Sequence, residues 1–378
     1  MTRLGGKLPF QEAVEEVKMF CQTEISEATL RRTTHENGRA SEAMAKQAVE
    51  EIEAEAPEPT ERPERLVIST DGALIQLTTG EWREVKTVAI GEFAAEWNAD
   101  KGELEVHSSQ MSYFSRSYAI REFERYALGE LHRRGLEGAK NVVAVNDGSQ
   151  WIQSFIDFHC PKAVRIIDFS HAQGYLARMG KAILGQNTET FSSWYKNQSH
   201  QLKHQPPNKL LSHLAWFGQR AQTLEQEAEV QRTMHYLTQR REMIDYPHFR
   251  NRGYPIGSGS VESSHKHVVQ KRLKGAGMRW AESHVDPLLS LRNLICNNRW
   301  EEGWQELVNF RQQQRWASRR RSKVKAVPPS ITLDSVKVAP EPVTPLSSTG
   351  DKTQKRPWRP PADHPWRRSN FPLRSRRY

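Results

Sequence analysis

The stretch Val142–His171, VVAVNDGSQWIQSFIDFHCPKAVRIIDFSH, holds two short runs of β-branched and apolar residues, VVAV and AVRII. Each run closes on a carboxylate, Asp147 within NDG and Asp168 within IDFSH. Between them Trp151, Phe155 and Phe158 recur at the spacing of a helix face. Strand, acid, helix, strand, acid, helix is the βαβ pattern of a parallel sheet. Ligands collect at the carboxyl ends of such strands, so both acids are expected where chemistry is done.

Working outward toward the N-terminus, LVISTDGALIQL (66–77) sets an apolar run before Asp71, with the turn-prone Gly72 after it. EWREVKTVAIGEF (81–93) and ELEVHSSQMSYFS (103–115) read as second and third strands, and REFERYALGELHRRG (121–135) as a helix stopped by Gly135. Three antiparallel strands, a helix, then two strands each followed by a helix is the connectivity of the ribonuclease H-like α/β fold, a mixed sheet. In that order the first strand lies beside the fourth. Asp71 and Asp147 are then expected to end neighbouring strands with their carboxylates converging.

The flanks divide the chain further. Residues 1–64 are expected to be helical. Phe10, Val14, Val17 and Phe20 mark an apolar face, and a second, short helix starts at Ser26 and stops at Gly38. Two helices joined by a turn, the second carrying Arg31 and Arg32, match a DNA-reading helix-turn-helix. The surrounding acidity favours instead a hairpin packed on the core. EIEAEAPEPTERPER (51–65) reads as an acidic linker and domain boundary. The core then spans 65–187, a Gln-rich all-helical insertion 188–250, and the second part of the core 251–310. In that part Ser258 or Ser260 can cap a helix carrying Glu262, Val261, Val268, Val269 and Leu273, ended by Gly275 and Gly277. Residues 311–378 are basic, Pro-rich and dotted with Trp358, Trp366 and Phe371, a composition expected to stay disordered alone and to suit phosphates and unpaired bases.

Mean hydropathy is −0.76 and no apolar run approaches the ~20 residues that span a bilayer, which excludes a helical membrane protein. The N-terminus lacks the apolar core of a secretory signal. Cys21, Cys160 and Cys296 lie too far apart for a disulfide framework or a zinc knuckle, so a reducing cytoplasm is expected. Residues 1–64 carry 8 Lys/Arg against 14 Asp/Glu, residues 65–310 carry 30 against 27, and residues 311–378 carry 17 against 4. The positive field is concentrated at the C-terminal end, and its natural partner is a polyanion such as nucleic acid.

Two divalent ions about 3.5–4 Å apart activate a nucleophile and stabilise the leaving oxygen in phosphodiester displacement. Hard oxygen ligands on rigid elements hold them, and Asp71, Asp147 and Glu262 supply that set. Asp168, which also ends a strand, is the rival second ligand. It sits three residues before His171 at a strand–helix junction, where capping is a ready alternative use. Lys266, Lys271, Arg272, Lys274 and Arg279 surround the Glu262 helix as candidate partners of DNA phosphates.

TDG at 70–72, NDGSQWI at 146–152, IDFSHA at 167–172 and IGSGSVESSHKHVVQKRLKGAGMRW at 256–280 resemble the Mutator-like DDE transposases of bacterial insertion sequences, closest to the ISKra-type group. The likeness covers roughly residues 8–305, and GEWREVKTVAIGEF and ADHPWR fit it too. The resemblance implies Asp71, Asp147 and Glu262 as catalytic triad and metal ligands, with Mg²⁺ or Mn²⁺. It makes Asp168 and His171 the supporting C/D-x-x-H feature. It implies cleavage at transposon ends, strand transfer of the 3′-OH into target DNA, and a homodimer or higher oligomer on DNA in the bacterial nucleoid. It also implies a further N-terminal region with paired cysteines, absent here, so an N-terminally shortened copy is expected. The alternative is a remnant that binds DNA without cutting it.

Overall fold

In the computed structural model the described residues are 1–59, 61–100, 102–259, 263 and 265–325, the last eight of these by backbone alone. Five strands form one mixed sheet: β1 (Arg65–Gln76), β2 (Trp82–Asn98), β3 (Glu103–Arg116), β4 (Asn141–Asn146) and β5 (Val164–Ile167), in the order β3-β2-β1-β4-β5. β1 pairs antiparallel with β2 from Leu66↔Glu92 to Gln76↔Trp82, and parallel with β4 only from Arg65↔Asn141 to Ile68↔Ala144. β5 continues the parallel half, Val143↔Val164 to Asn146↔Ile167.

Alternation along β1 distributes its side chains to different cores, because successive residues face opposite sides of a sheet. Leu66 and Ile68 join Phe123, Ala127 and Leu131 of α4 (Ile120–Arg133) and Ile152, Phe155 and Ile156 of α5 (Gln150–His159). On the other face Val67 meets Leu176 and Met179 of α6 (Phe169–Leu184) and the insertion helices α7 (Glu189–His204), α8 (Pro207–Gly218), α9 (Leu224–Gln239) and α10 (Tyr246–Asn251). Further along that face Ala73, Ile75 and Leu77 pack under Val268, Val269 and Leu273 of α11, which is π-helical over His265–Gln270 and α-helical over Lys271–Leu273, and under Val285, Leu288 and Leu289 of α12 (Glu282–Cys296). Asp71 sits on this face between the two cores.

The helical insertion, with Pro207 opening α8, follows the expected plan. Several elements do not. β1 runs on through Asp71 to Gln76, so Asp71 is mid-strand and not at a strand end. On α5 the buried face is Ile152, Phe155, Ile156 and His159; Trp151 and Phe158 lie at its margins. On α2 (Phe10–Cys21) the buried residues are Ala13 and Val17, and Phe20 is exposed. A helix position is assigned by its neighbours as well as by its hydrophobicity, and a small alanine closes the approach to Leu30 better than a phenylalanine would.

Ser26 does cap α3, accepting from Thr29 N at 3.2 Å, yet α3 (Glu27–Glu55) does not stop at Gly38. A Cβ at Gly38 would lie 2.4 Å from the carbonyl oxygen of Pro287, so this glycine is where α3 crosses α12. The helix also takes up Glu51–Glu55 of the supposed linker. The N-terminal helices are joined to the core: Arg272 Nε donates to Gly5 O at 3.1 Å and Arg292 Nη1 to Gly6 O at 3.3 Å, in the last turn of α1 (Thr2–Lys7). At the other end α13 (Trp300–Lys325) carries helix past the expected boundary at 311. Trp358, Trp366 and Phe371 lie outside the described residues. Among the described residues no helix is long and apolar enough to cross a membrane.

Candidate functional site

Asp71 and Asp147 come together because β1 and β4 are neighbours. Thr70 N donates to the side-chain oxygen of Asn146, the last residue of β4, at 2.6 Å, which ties the end of β4 beside Asp71. Asp147 follows at the strand end. Its Oδ1 accepts from Ser149 N at 2.8 Å, fixing the turn into α5. Gly148 has φ 77°. A Cβ there would meet Ile167 Cδ1 at 2.6 Å and Arg240 Nε at 2.7 Å, so the turn needs glycine on both counts.

The insertion holds this turn from above. Tyr236 of α9 donates its hydroxyl to Asp147 O, and Arg240 Nη2 donates to Gly148 O at 2.9 Å. The Tyr236 ring is itself clamped, stacked on Tyr175 with centroids 3.8 Å apart and covered by the Arg240 guanidinium at 4.1 Å. Neither Tyr236 nor Arg240 stands out in the sequence, because their function depends on a packing between segments some ninety residues apart.

Burial raises the Asp71 carboxyl above its ordinary range, His265 pulls it back, and the negative charges of Asp147 and Glu84 add to the rise. His265 of α11, 5% exposed, places Nδ1 3.5 Å from Asp71 Oδ2. It is a site residue the sequence reading passed over; its closeness in sequence to Glu262 was the available signal. His265 Nε2, on the ring that faces Asp71, is buried without a hydrogen-bond partner among the described residues.

Asp168 is used differently. It caps α6, with Oδ1 accepting from His171 N at 2.8 Å and from the Ser170 hydroxyl, while Oδ2 accepts from Ser258 N and Oγ at 2.5 and 2.6 Å. Burial, the largest single influence, raises its pKa, but these hydrogen bonds outweigh it and hold the carboxyl below the ordinary range. Both oxygens are engaged within the fold. His171 serves through its backbone N–H, while its ring packs 5.5 Å from Tyr175 and 5.8 Å from Tyr236.

Glu262 lies outside the described residues. Its described neighbours on both sides are anchored to acids: Ser258 to Asp168, and His265 beside Asp71. Among the described residues no group of three His, Cys, Asp or Glu that could hold a metal occurs. The two carboxylates that do meet are hard oxygen donors of the type Mg²⁺ and Mn²⁺ take.

Of the expected DNA-contacting cations, Lys266, Lys271, Lys274 and Arg279 are exposed on and after α11. Arg272 is not: it is 1% exposed, lies under Phe10 and Trp280 at 4.6 and 5.0 Å, and is withdrawn from any surface contact. Arg31 and Arg32 are exposed on α3, with Arg31 paired to Glu27 and held over the Phe10 ring. This is a helical assembly packed on the core. No protein-family model matches the chain, and no curated protein is similar to it.

Proposed function

We propose that this chain is a metal-dependent polynucleotidyl transferase of the DDE transposase kind, acting on transposon ends and target DNA through Asp71, Asp147 and Glu262. The observation that carries the reading is the division of labour among the acids: Asp71 and Asp147 lie close enough for their charges to interact and each gives one oxygen to a backbone N–H, of Gly72 and of Ser149, while both oxygens of Asp168 are spent on hydrogen bonds. The strand order β3-β2-β1-β4-β5 with an antiparallel β1–β2 pair and parallel β1–β4 and β4–β5 pairs supports a ribonuclease H-like fold.

Asp71 and Asp147 would hold two divalent ions together with Glu262, and the ions would supply a Lewis acid for the scissile phosphate and a lowered pKa for the attacking hydroxyl. The chain's own residues supply rigidity. Asn146 fixes β4 to β1, Tyr236 and Arg240 clamp the Asp147 turn, and the buried His265 ring backs Asp71. Such pre-organisation keeps the carboxylates in place as charge develops on the phosphate. A homodimer on DNA in the bacterial nucleoid belongs to the same proposal.

The test is nicking and strand transfer on DNA carrying the element's ends, with Mg²⁺ or Mn²⁺. Activity in the wild type and its loss in Asp71→Asn, Asp147→Asn and Glu262→Gln are expected. An active Asp147→Asn beside an inactive Asp168→Asn that still folds would overturn the assignment. DNA binding without cleavage under either metal would establish the remnant instead, and cutting without joining a nuclease.

A further inference from the structure

On α11, His265 turns to Asp71, and His267 and Lys271 line a separate pocket of about 350 Å³. Lys7 from the end of α1 and Arg292 from α12 complete its charged wall, with Cys296 beside them, and no carboxylate among the described residues lines it. We propose that this pocket is a phosphate-binding site, distinct from the Asp71–Asp147 centre and independent of whether that centre is catalytic.

Uncompensated buried charge carries the inference. Arg292 is 4% exposed, and its guanidinium donates to the carbonyls of Val268 at 3.1 Å, Gly6 at 3.3 Å and His267. Arg272 lies nearby and adds to the positive field, with Glu12 the only acid among the described residues whose charge reaches it. Neither arginine has an ion pair among the described residues. Carbonyls accept from the Arg292 guanidinium but do not cancel its net charge, Arg272 Nη2 has no hydrogen-bond partner among the described residues, and leaving such charge buried without a counterion is costly. The Cys296 thiol registers the same field: burial raises it, and Arg292, Lys271 and Lys7 each pull it back. Lys7, His267 and Lys271 are exposed at the mouth, where an anion can reach them from solvent. A phosphate oxygen set is the common biological anion that accepts from several such donors at once. It is carried either by the nucleic-acid backbone or by free phosphate.

The experiment compares the full-length protein with Lys7→Ala/Lys271→Ala, two exposed positions, and with the charge-matched control Lys140→Ala/Lys162→Ala. Duplex DNA binding is measured by fluorescence anisotropy over a salt series, and Tm is measured with inorganic phosphate against chloride at matched ionic strength. A backbone phosphate in the pocket lowers the slope of log K against log salt by about 1 in the pocket variant and not in the control. Free phosphate as the occupant raises the wild-type Tm and leaves that of the pocket variant unmoved. Either result supports the site and identifies its source. An unchanged slope with no phosphate-specific Tm shift overturns it, as does an equal loss in the control. Nicking activity is read separately, so failure of the catalytic reading leaves this test intact.

Discussion

Asp71 within β1, Asp147 after β4 and Asp168 after β5 differ in what their oxygens touch, and that difference is measurable. Asp168 has its pKa held below the unfolded value, so its ionised form stabilises the fold above the unfolded pKa, and this contribution is lost as pH falls through the folded one. Asp168→Asn should therefore cost about 1–3 kcal/mol at neutral pH and flatten the loss of stability as pH falls through and below the ordinary carboxylate range, read by urea midpoints. Asp71 has the opposite sign. Its folded pKa is raised, chiefly by burial, so the charged form is disfavoured at neutral pH and stability rises as pH falls. Asp71→Asn is expected to keep or raise Tm while abolishing cleavage. It should also lose the Tm increase that Mg²⁺ or Mn²⁺ gives the wild type, since a ion bound only to the native state stabilises it. An unchanged metal-induced shift in Asp71→Asn would count against the metal site.

Elements act here by pinning those residues. The α9 insertion helix reaches the Asp147 turn through one hydroxyl and one guanidinium, so Tyr236→Phe removes a single bond worth about 1 kcal/mol of stability. Its larger expected effect is on single-turnover cleavage, because the freed turn no longer holds the carboxylate; a rate equal to wild type would refute this positioning role. Gly38→Ala probes a different element contact. The added methyl meets the Pro287 backbone, which cannot rotate away, and should cost about 1–3 kcal/mol by chemical denaturation. The π-helical turn His265–Gln270 matters for the same reason, since wide turns of this kind recur at functional sites and here one carries His265 toward Asp71.

Across the whole molecule charge is unevenly placed. Residues 326–378 hold 10 Lys/Arg against 4 Asp/Glu. Ending the chain after Lys325 should weaken duplex binding and lower its salt slope, because it removes this net positive charge. A truncated protein that binds with undiminished salt dependence would shift the DNA-contacting role to α11 and its surroundings.

Strand and helix identities were readable from Leu66 to His171 because alternation and apolar runs are local signals, and each strand was found within a few residues of its expected place. The placing of β1 beside β4 was also legible, through the order of the elements. What local sequence could not carry was anything that depends on a distant neighbour. Gly38 reads as a stop until α12 is seen against it, and Arg272 reads as a DNA contact until Phe10 and Trp280 cover it. Asp147 and Asp168 are equivalent as written, each an acid closing an apolar run. Only the tertiary structure separates them, because Ser258 returns after the helical insertion to saturate one carboxylate, while Asn146 sets the other beside Asp71.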